Sequence, residues 1–173
     1  MANSLLRTDR EIAELYERHK EKIYRVCFLH MKNAADTEDA VHDTFCKLIQ
    51  SGTVFNDSTH EEAWLIRTAG NLCKDNLRHW WRKRENLEDY NHLSGQSDID
   101  HTLSVVLDLP SKYKTVIYLY YYEGYDSVEI SKILQKPQST IRYYLSQARK
   151  ILKEQLGGTF HDEQQSLGFS EQN

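Results

Sequence analysis

Apolar positions in the first third of the chain recur every three to four residues. Ile12, Leu15, Tyr16, Ile23, Cys27 and Met31 fall at spacings of three, four and seven, one stripe of a helix over Asp9 to Met31. Val41, Phe45, Leu48 and Ile49 repeat that period in a second helix, capped by Asp36 or Thr37 and stopped at Ser51-Gly52. Its opposite face carries Glu38, Asp39, His42, Asp43 and Lys47. A polar stretch from Asn56 to His60 precedes a third helix over Glu61 to Arg84, with Leu65, Thr68, Leu72 and Leu77 facing inward.

The pattern then lapses. Residues 86–102 contain Asn, Ser, Gly, Gln and Asp with few large apolar groups, which predicts a linker. It resumes at Leu103, Val106 and Leu107; Leu109-Pro110-Ser111 supplies a stop and a cap, and Tyr113 to Tyr122 reads as a helix ending at Gly124. Asp126 followed by Glu129 fits an aspartate-led capping box for a short helix over Ser127 to Leu134. A tight turn with Pro137 follows, then a last helix capped by Gln138 or Ser139 and running to about Gln155. The expected fold is all-α, with two small helical domains at 1–85 and 103–156 and a disordered acidic tail at 157–173.

Composition supports this reading: seven glycines and two prolines in 173 residues give little punctuation for a many-turned sheet protein. No apolar run approaches the roughly 20 residues of a membrane-spanning helix, and Met1 to Glu11 lacks a signal peptide's apolar core, so a cytoplasmic location is expected. Cys27, Cys46 and Cys73 each sit among apolar neighbours in a helical segment, and are expected to be reduced core residues. A net charge of -4 argues at first against a nucleic-acid partner, but the charges are segregated. Lys132 to Lys153 holds six bases and no acid, and Lys74 to Arg84 holds five bases against Asp75. Between these islands, Glu85 to Asp108 has acids and no base, so the total conceals two basic patches.

Two short helices joined by a tight turn, the second rich in Arg, Gln, Ser and Tyr, suit a helix-turn-helix. Ile141, Leu145 and Ala148 form its inward stripe. Arg142, Ser146 and Gln147 can meet base edges in a major groove, while Arg149, Lys150 and Lys153 suit phosphates. Spacing alone also permits a helical hairpin with a solvated basic face. Upstream, Trp80-Trp81 beside Arg78, Arg82, Lys83 and Arg84 offers stacking surfaces with phosphate contacts, the combination that holds single strands. Cys27, His30, His42 and Cys46 have spacings that could hold zinc, but no metal site is expected, because no CxxC is present and packed cysteines are commoner than ligands. No Gly-rich phosphate loop, nucleophile elbow or HExxH motif appears; neither an enzyme nor a cofactor is expected.

The stretch from Leu109 to Leu152 resembles region 4, the promoter-reading domain of extracytoplasmic-function sigma factors in the sigma-70 family. Its landmarks are Leu109-Pro110, Glu129-Ile130, Thr140-Ile141-Arg142 and Ala148-Arg149, in that order. Ala35 to Gln50 resembles region 2.2, and Ala63 to Arg84, with Trp64-Leu65, Asn71 and Asp75, resembles regions 2.3 and 2.4. Trp64 is read as core. The resemblance implies a factor that binds core RNA polymerase at the β′ clamp and β flap and directs initiation at promoter DNA, with an anti-sigma protein as a frequent further partner in the family. It implies polymerase contacts at Asp39, His42, Asp43, Lys47 and Gln50, and -10 element contacts at Asn71, Asp75, Arg78, Trp80, Trp81 and Arg82. A base pocket would lie near Asn56 to His60. The -35 element would be met by Ser139, Thr140, Arg142, Tyr143, Ser146, Gln147, Arg149 and Lys150.

The resemblance is imperfect at two places. Gln135 stands at the helix-turn-helix corner, where glycine is usual because the backbone there favours positive φ; this costs about 1 kcal/mol. Tyr143, Tyr144, Ser146 and Gln147 replace residues that are often small or basic, so the promoter sequence does not carry over from relatives. The competing reading is a helix-turn-helix regulator that binds DNA without core polymerase.

Overall fold

The computed structural model describes residues 7–84 and 101–157, with the side chains of 80–84 and 101–103 outside the description. Of the expected linker, His101 and Thr102 are described and open a helix; the rest of it, and the expected tail beyond Gly157, lie outside the described residues. Helices account for the regular structure, with no strand among the described residues. The chain divides into two compact units, taken in turn below.

The first unit is a three-helix bundle of α1 (Asp9–Met31), α2 (Ala34–Ser51) and α3 (Ser58–Arg84). α1 starts where the pattern placed it, on a complete capping box. The Thr8 hydroxyl accepts from the Glu11 N–H, and the Glu11 carboxylate accepts from the Thr8 N–H at 2.7 Å. α2 begins earlier than expected, because Asn33 and neither Asp36 nor Thr37 is its cap. Asn33 Oδ1 accepts from the Asp36 N–H at 2.9 Å, leaving Asp36 in the first turn, where its charge suits the helix dipole. α3 likewise starts at Ser58 and not at Glu61, since Asp57 Oδ1 accepts from the His60 N–H at 2.8 Å.

Leu15, Ile23, Val26, Ala40, Val41, Phe45, Leu48, Leu65, Ile66, Ala69 and Cys73 fill the bundle centre. Thr68 and Leu77 are only half-buried, while Ile66 and Ala69 take the inward places. Tyr16 and Ile49, both on the expected stripes, are about 40% exposed and line an open groove of about 910 Å³ between α1 and α2. Buried Cys27 of α1 meets buried Cys73 of α3, with Thr44 of α2 beside them. The hydrogen bond from Cys73, reinforced by burial, drives the Cys27 thiol far above its ordinary pKa and keeps it protonated. The third cysteine departs from the expectation of a core residue: Cys46 is half-buried, its Sγ 3.4 Å from His42 Nε2. With Cys27 turned to Cys73, the four-residue zinc arrangement is not assembled. No group of three or more metal-ligating His, Cys, Asp or Glu occurs among the described residues.

A polar clamp joins α1 to the start of α3. Buried His19 places Nε2 2.7 Å from Glu61, which also accepts from Arg18 at 2.8 Å, and Lys22 reaches Glu62 at 2.7 Å. Such a paired cluster is satisfied as a set, so its loss is costlier than that of an exposed pair.

The second unit contains α4 (His101–Leu107), α5 (Ser111–Ile117), a π-helical turn (Tyr118–Tyr122), α6 (Ser127–Leu134) and α7 (Gln138–Leu156). Val105, Leu107, Leu109, Val116, Leu119, Ile130, Ile141, Leu145, Ala148 and Leu152 form its core. Val106 is half-buried, and Val105 takes the inward place expected for it. The helix expected over Tyr113 to Tyr122 starts at Ser111 and widens into the π-turn, where Tyr118 and Tyr122 stack at 5.2 Å. Asp126 and Glu129 form the expected box: the Glu129 N–H donates to Asp126 Oδ1 at 2.8 Å and the Asp126 N–H to Glu129 Oε2 at 2.9 Å. α7 lacks a side-chain cap, contrary to the reading of Gln138 or Ser139. Pro137 is its cap residue, its carbonyl accepting from the Thr140 N–H at 2.9 Å, and Gln138 instead donates to Ser127 Oγ at 3.0 Å.

Candidate functional site

On α2, Asp39, His42, Asp43, Lys47 and Gln50 are all exposed and recur at helical spacing, so one solvent face carries all five. Their neighbours Ala40, Val41, Thr44 and Leu48 are buried in the bundle, which fixes the direction of that face. The face presents acids, a base, an imidazole and an amide.

On α3, Asn71, Asp75 and Arg78 are exposed and stand on one face, with Arg78 Nη2 3.8 Å from Asp75 Oδ1. At about two-thirds exposure on both sides, this pair is weak enough to give way to a ligand. The helix itself continues to Arg84; the side chains of Trp80, Trp81 and Arg82 lie outside the described residues. Between α2 and α3, the connector exposes Val54, Asn56 and Asp57. Sequence reasoning missed Phe55. Its ring lies 5.3 Å from His60 and 5.9 Å from Trp64, both edge-on, an aromatic cluster at the mouth of α3. Trp64, read as core, is half-buried in that cluster.

In the second unit, α6, the corner at Gln135 and α7 make the helix-turn-helix. Gln135 has φ 53, the left-handed conformation anticipated for the glycine position. Ile141, Leu145 and Ala148 are buried, as their spacing required. Ser139, Arg142, Tyr143, Ser146, Lys150 and Lys153 are exposed on the far side, with Tyr143 at 55%, while Thr140 and Gln147 are half-buried at its margin. Ser139, Arg142, Tyr143 and Ser146 thus precede Lys150 and Lys153 along the exposed face of α7. Arg149 is placed differently from its exposed neighbours. It is half-buried, its Nε donates to the Tyr121 hydroxyl at 2.8 Å, and its guanidinium lies 5.1 Å from the Tyr120 ring.

Residues 15–84 match the family model for Sigma-70 region 2, and residues 103–152 match that for Sigma-70 region 4. The chain belongs to the sigma-70 family. Among its relatives, the ECF RNA polymerase sigma factor SigW of Bacillus subtilis is 26% identical over 167 residues, covering 83% of this chain and 88% of that protein. The RNA polymerase sigma factor SigV of the same organism is 28% identical over 143 residues, covering 80% and 86%. The fold is similar to that of the sigma factor RpoE in its complex with the anti-sigma factor NepR from Bartonella quintana. The TM-score is 0.67 at 17% identity, over 87% of this chain and 99% of that one. CnrH, solved with the cytosolic domain of CnrY, gives 0.64 at 19% identity, over 92% and 96%. This sigma factor is of the extracytoplasmic-function type, and its work is promoter-specific initiation by core RNA polymerase. The competing reading of a regulator independent of polymerase is not favoured, because both sigma regions are present in order. Among the described residues, no helix is long and apolar enough to cross a membrane.

Proposed function

We propose that the two units divide promoter recognition between them. Residues 1–85 hold core polymerase and the -10 element, residues 103–156 hold the -35 element, and 86–102 spans from one to the other. The carrying observation is that three separate solvent faces, on α2, α3 and α7, display the chemistry each contact needs while the residues between them are buried. The α2 face of Asp39, His42, Asp43, Lys47 and Gln50 docks on the polymerase clamp. Asn71, Asp75 and Arg78, with Trp80, Trp81 and Arg82 beyond them, receive the separated strand. Melting without nucleotide hydrolysis requires that the single strand be bound better than the duplex. Stacking contributes roughly 1–3 kcal/mol per base toward that difference. Ser139, Thr140, Arg142, Tyr143, Ser146 and Gln147 read the -35 duplex, and Lys150 meets phosphate. Arg149 supports that surface from behind through Tyr120 and Tyr121.

The protein performs no bond chemistry of its own in this reading and acts in the cytoplasm beside polymerase. The similar RpoE structure holds the anti-sigma factor NepR, which supports a regulator of the same kind for this chain. Each DNA contact alone is small, so joining both through polymerase raises the effective concentration of the second.

Reconstitution with bacterial core polymerase and run-off transcription from genomic fragments tests the proposal. Discrete transcripts are expected that fall at least about tenfold with Arg142→Glu, the worth of one base-edge contact, while core association persists. Transcripts insensitive to Arg142→Glu would sink the assignment of α7.

A further inference from the structure

The connector between α2 and α3 is secured from a distant part of the chain. Arg7 precedes residue 15, where the region 2 match begins, so its role is not carried over from the family pattern. Its guanidinium makes two contacts at once. Nη2 donates to the Thr53 carbonyl, and Cζ stands 5.1 Å from the centroid of the Phe55 ring. Phe55 then abuts His60 and Trp64, so the grip on the connector passes to the first turns of α3. The connector's other bonds are local: Thr53 hydroxyl to Ser51 Oγ at 2.8 Å, and the Asn56 N–H to His60 Nδ1 at 3.4 Å. Meanwhile Val54 is 64% exposed, and Asn56 and Asp57 also face solvent.

A pocket for an extruded base must return the cost of unstacking it, and a pocket that has to be ordered first returns less. We infer that Arg7 is a positioning residue for strand capture: it fixes the Phe55 connector in the shape that receives a base, and acts at promoter melting rather than at polymerase docking. The inference rests on the assignment of the -10 element to the first unit. A planar guanidinium can lie on a ring while its in-plane N–H reaches a carbonyl; an ammonium keeps the charge without that double fit. Arg7→Lys therefore separates geometry from charge.

The experiment uses the full chain with core polymerase and a promoter fragment recovered by run-off transcription. Two readouts are taken: permanganate reactivity of thymines in the -10 element, and holoenzyme affinity for a single-stranded -10 oligonucleotide carrying one abasic site, scanned along its length. The wild type is expected to open the fragment and to lose affinity at one abasic position. Arg7→Ala and Arg7→Lys are expected to associate with core as the wild type does. Both should open the fragment about tenfold less, the effect of losing one half-buried cation–π contact and one hydrogen bond, and both should be blind to that abasic position. Phe55→Leu should behave likewise. Full abasic sensitivity in Arg7→Ala would overturn the inference, as would complete rescue by Arg7→Lys, which would leave charge alone as the cause. Loss of core association in Arg7→Ala would overturn it by assigning the residue to folding or docking. A wild type that binds core without an abasic-sensitive position would instead overturn the underlying -10 assignment, and this inference with it.

Discussion

At Gln135 the chain turns through φ 53 with a Cβ attached, a conformation whose strain glycine avoids. Gln135→Gly is expected to stabilise the protein by about 0.5–1 kcal/mol, read as a raised denaturation midpoint; a lowered midpoint would mean that the glutamine side chain contributes more than the strain costs. That corner was legible in the sequence, because the helical periods on either side leave only a short turn and Pro137 marks its far end. The packing of Arg149 was not. Its partners Tyr120 and Tyr121 come from an earlier element, and no period along the recognition helix announces them. Phe55 escaped for a similar reason: a single aromatic in a polar stretch carries no period, and its partners are Arg7, far back along the chain, and Trp64 in the following helix.

Among the elements, helix existence was plain from the 3.6-residue period, while helix starts depended on caps that compete locally. Asn33 and Asp57 each stand a few residues ahead of the expected start and accept a backbone N–H, so both helices begin earlier than their apolar stripes do. The π-turn at Tyr118–Tyr122 has no sequence signature of its own, since a run of tyrosines is equally compatible with a regular helix. The capping box of α1 is the most testable of these local devices. Thr8→Ala is expected to cost about 1 kcal/mol in the first unit's unfolding free energy, checked by thermal or urea denaturation. The Thr8 N–H and hydroxyl hold the Glu11 carboxyl below the ordinary carboxylate range. Because the folded-state value is depressed, the contribution is present above the unfolded-state value and is lost as pH falls through the folded one. Its NMR titration should therefore have its midpoint below that of an unperturbed Glu, and Thr8→Ala, which removes the hydroxyl and keeps the N–H, should bring it only part of the way back.

For the molecule as a whole, the arrangement of charge matters more than its sum. A chain of net charge -4 still presents a recognition helix that carries no acid from Gln138 to Lys153, so its affinity for DNA depends on which surface is turned outward. Holoenzyme binding to promoter duplex should weaken with salt at a logarithmic slope near -0.9 per phosphate contacted, and Lys150→Ala should make the slope shallower by about one unit. An unchanged slope would remove Lys150 from the phosphate contacts. The thiols are distributed just as unevenly. Cys27 and Cys73 face each other in the bundle centre, and Cys46 alone of the three borders the open groove. A maleimide fluorophore should therefore attach at one place in the native wild-type chain, next to His42 on the face assigned to the clamp. The protein carries a ready-made labelling handle from which polymerase association can be watched in real time, with no cysteine to engineer in or out.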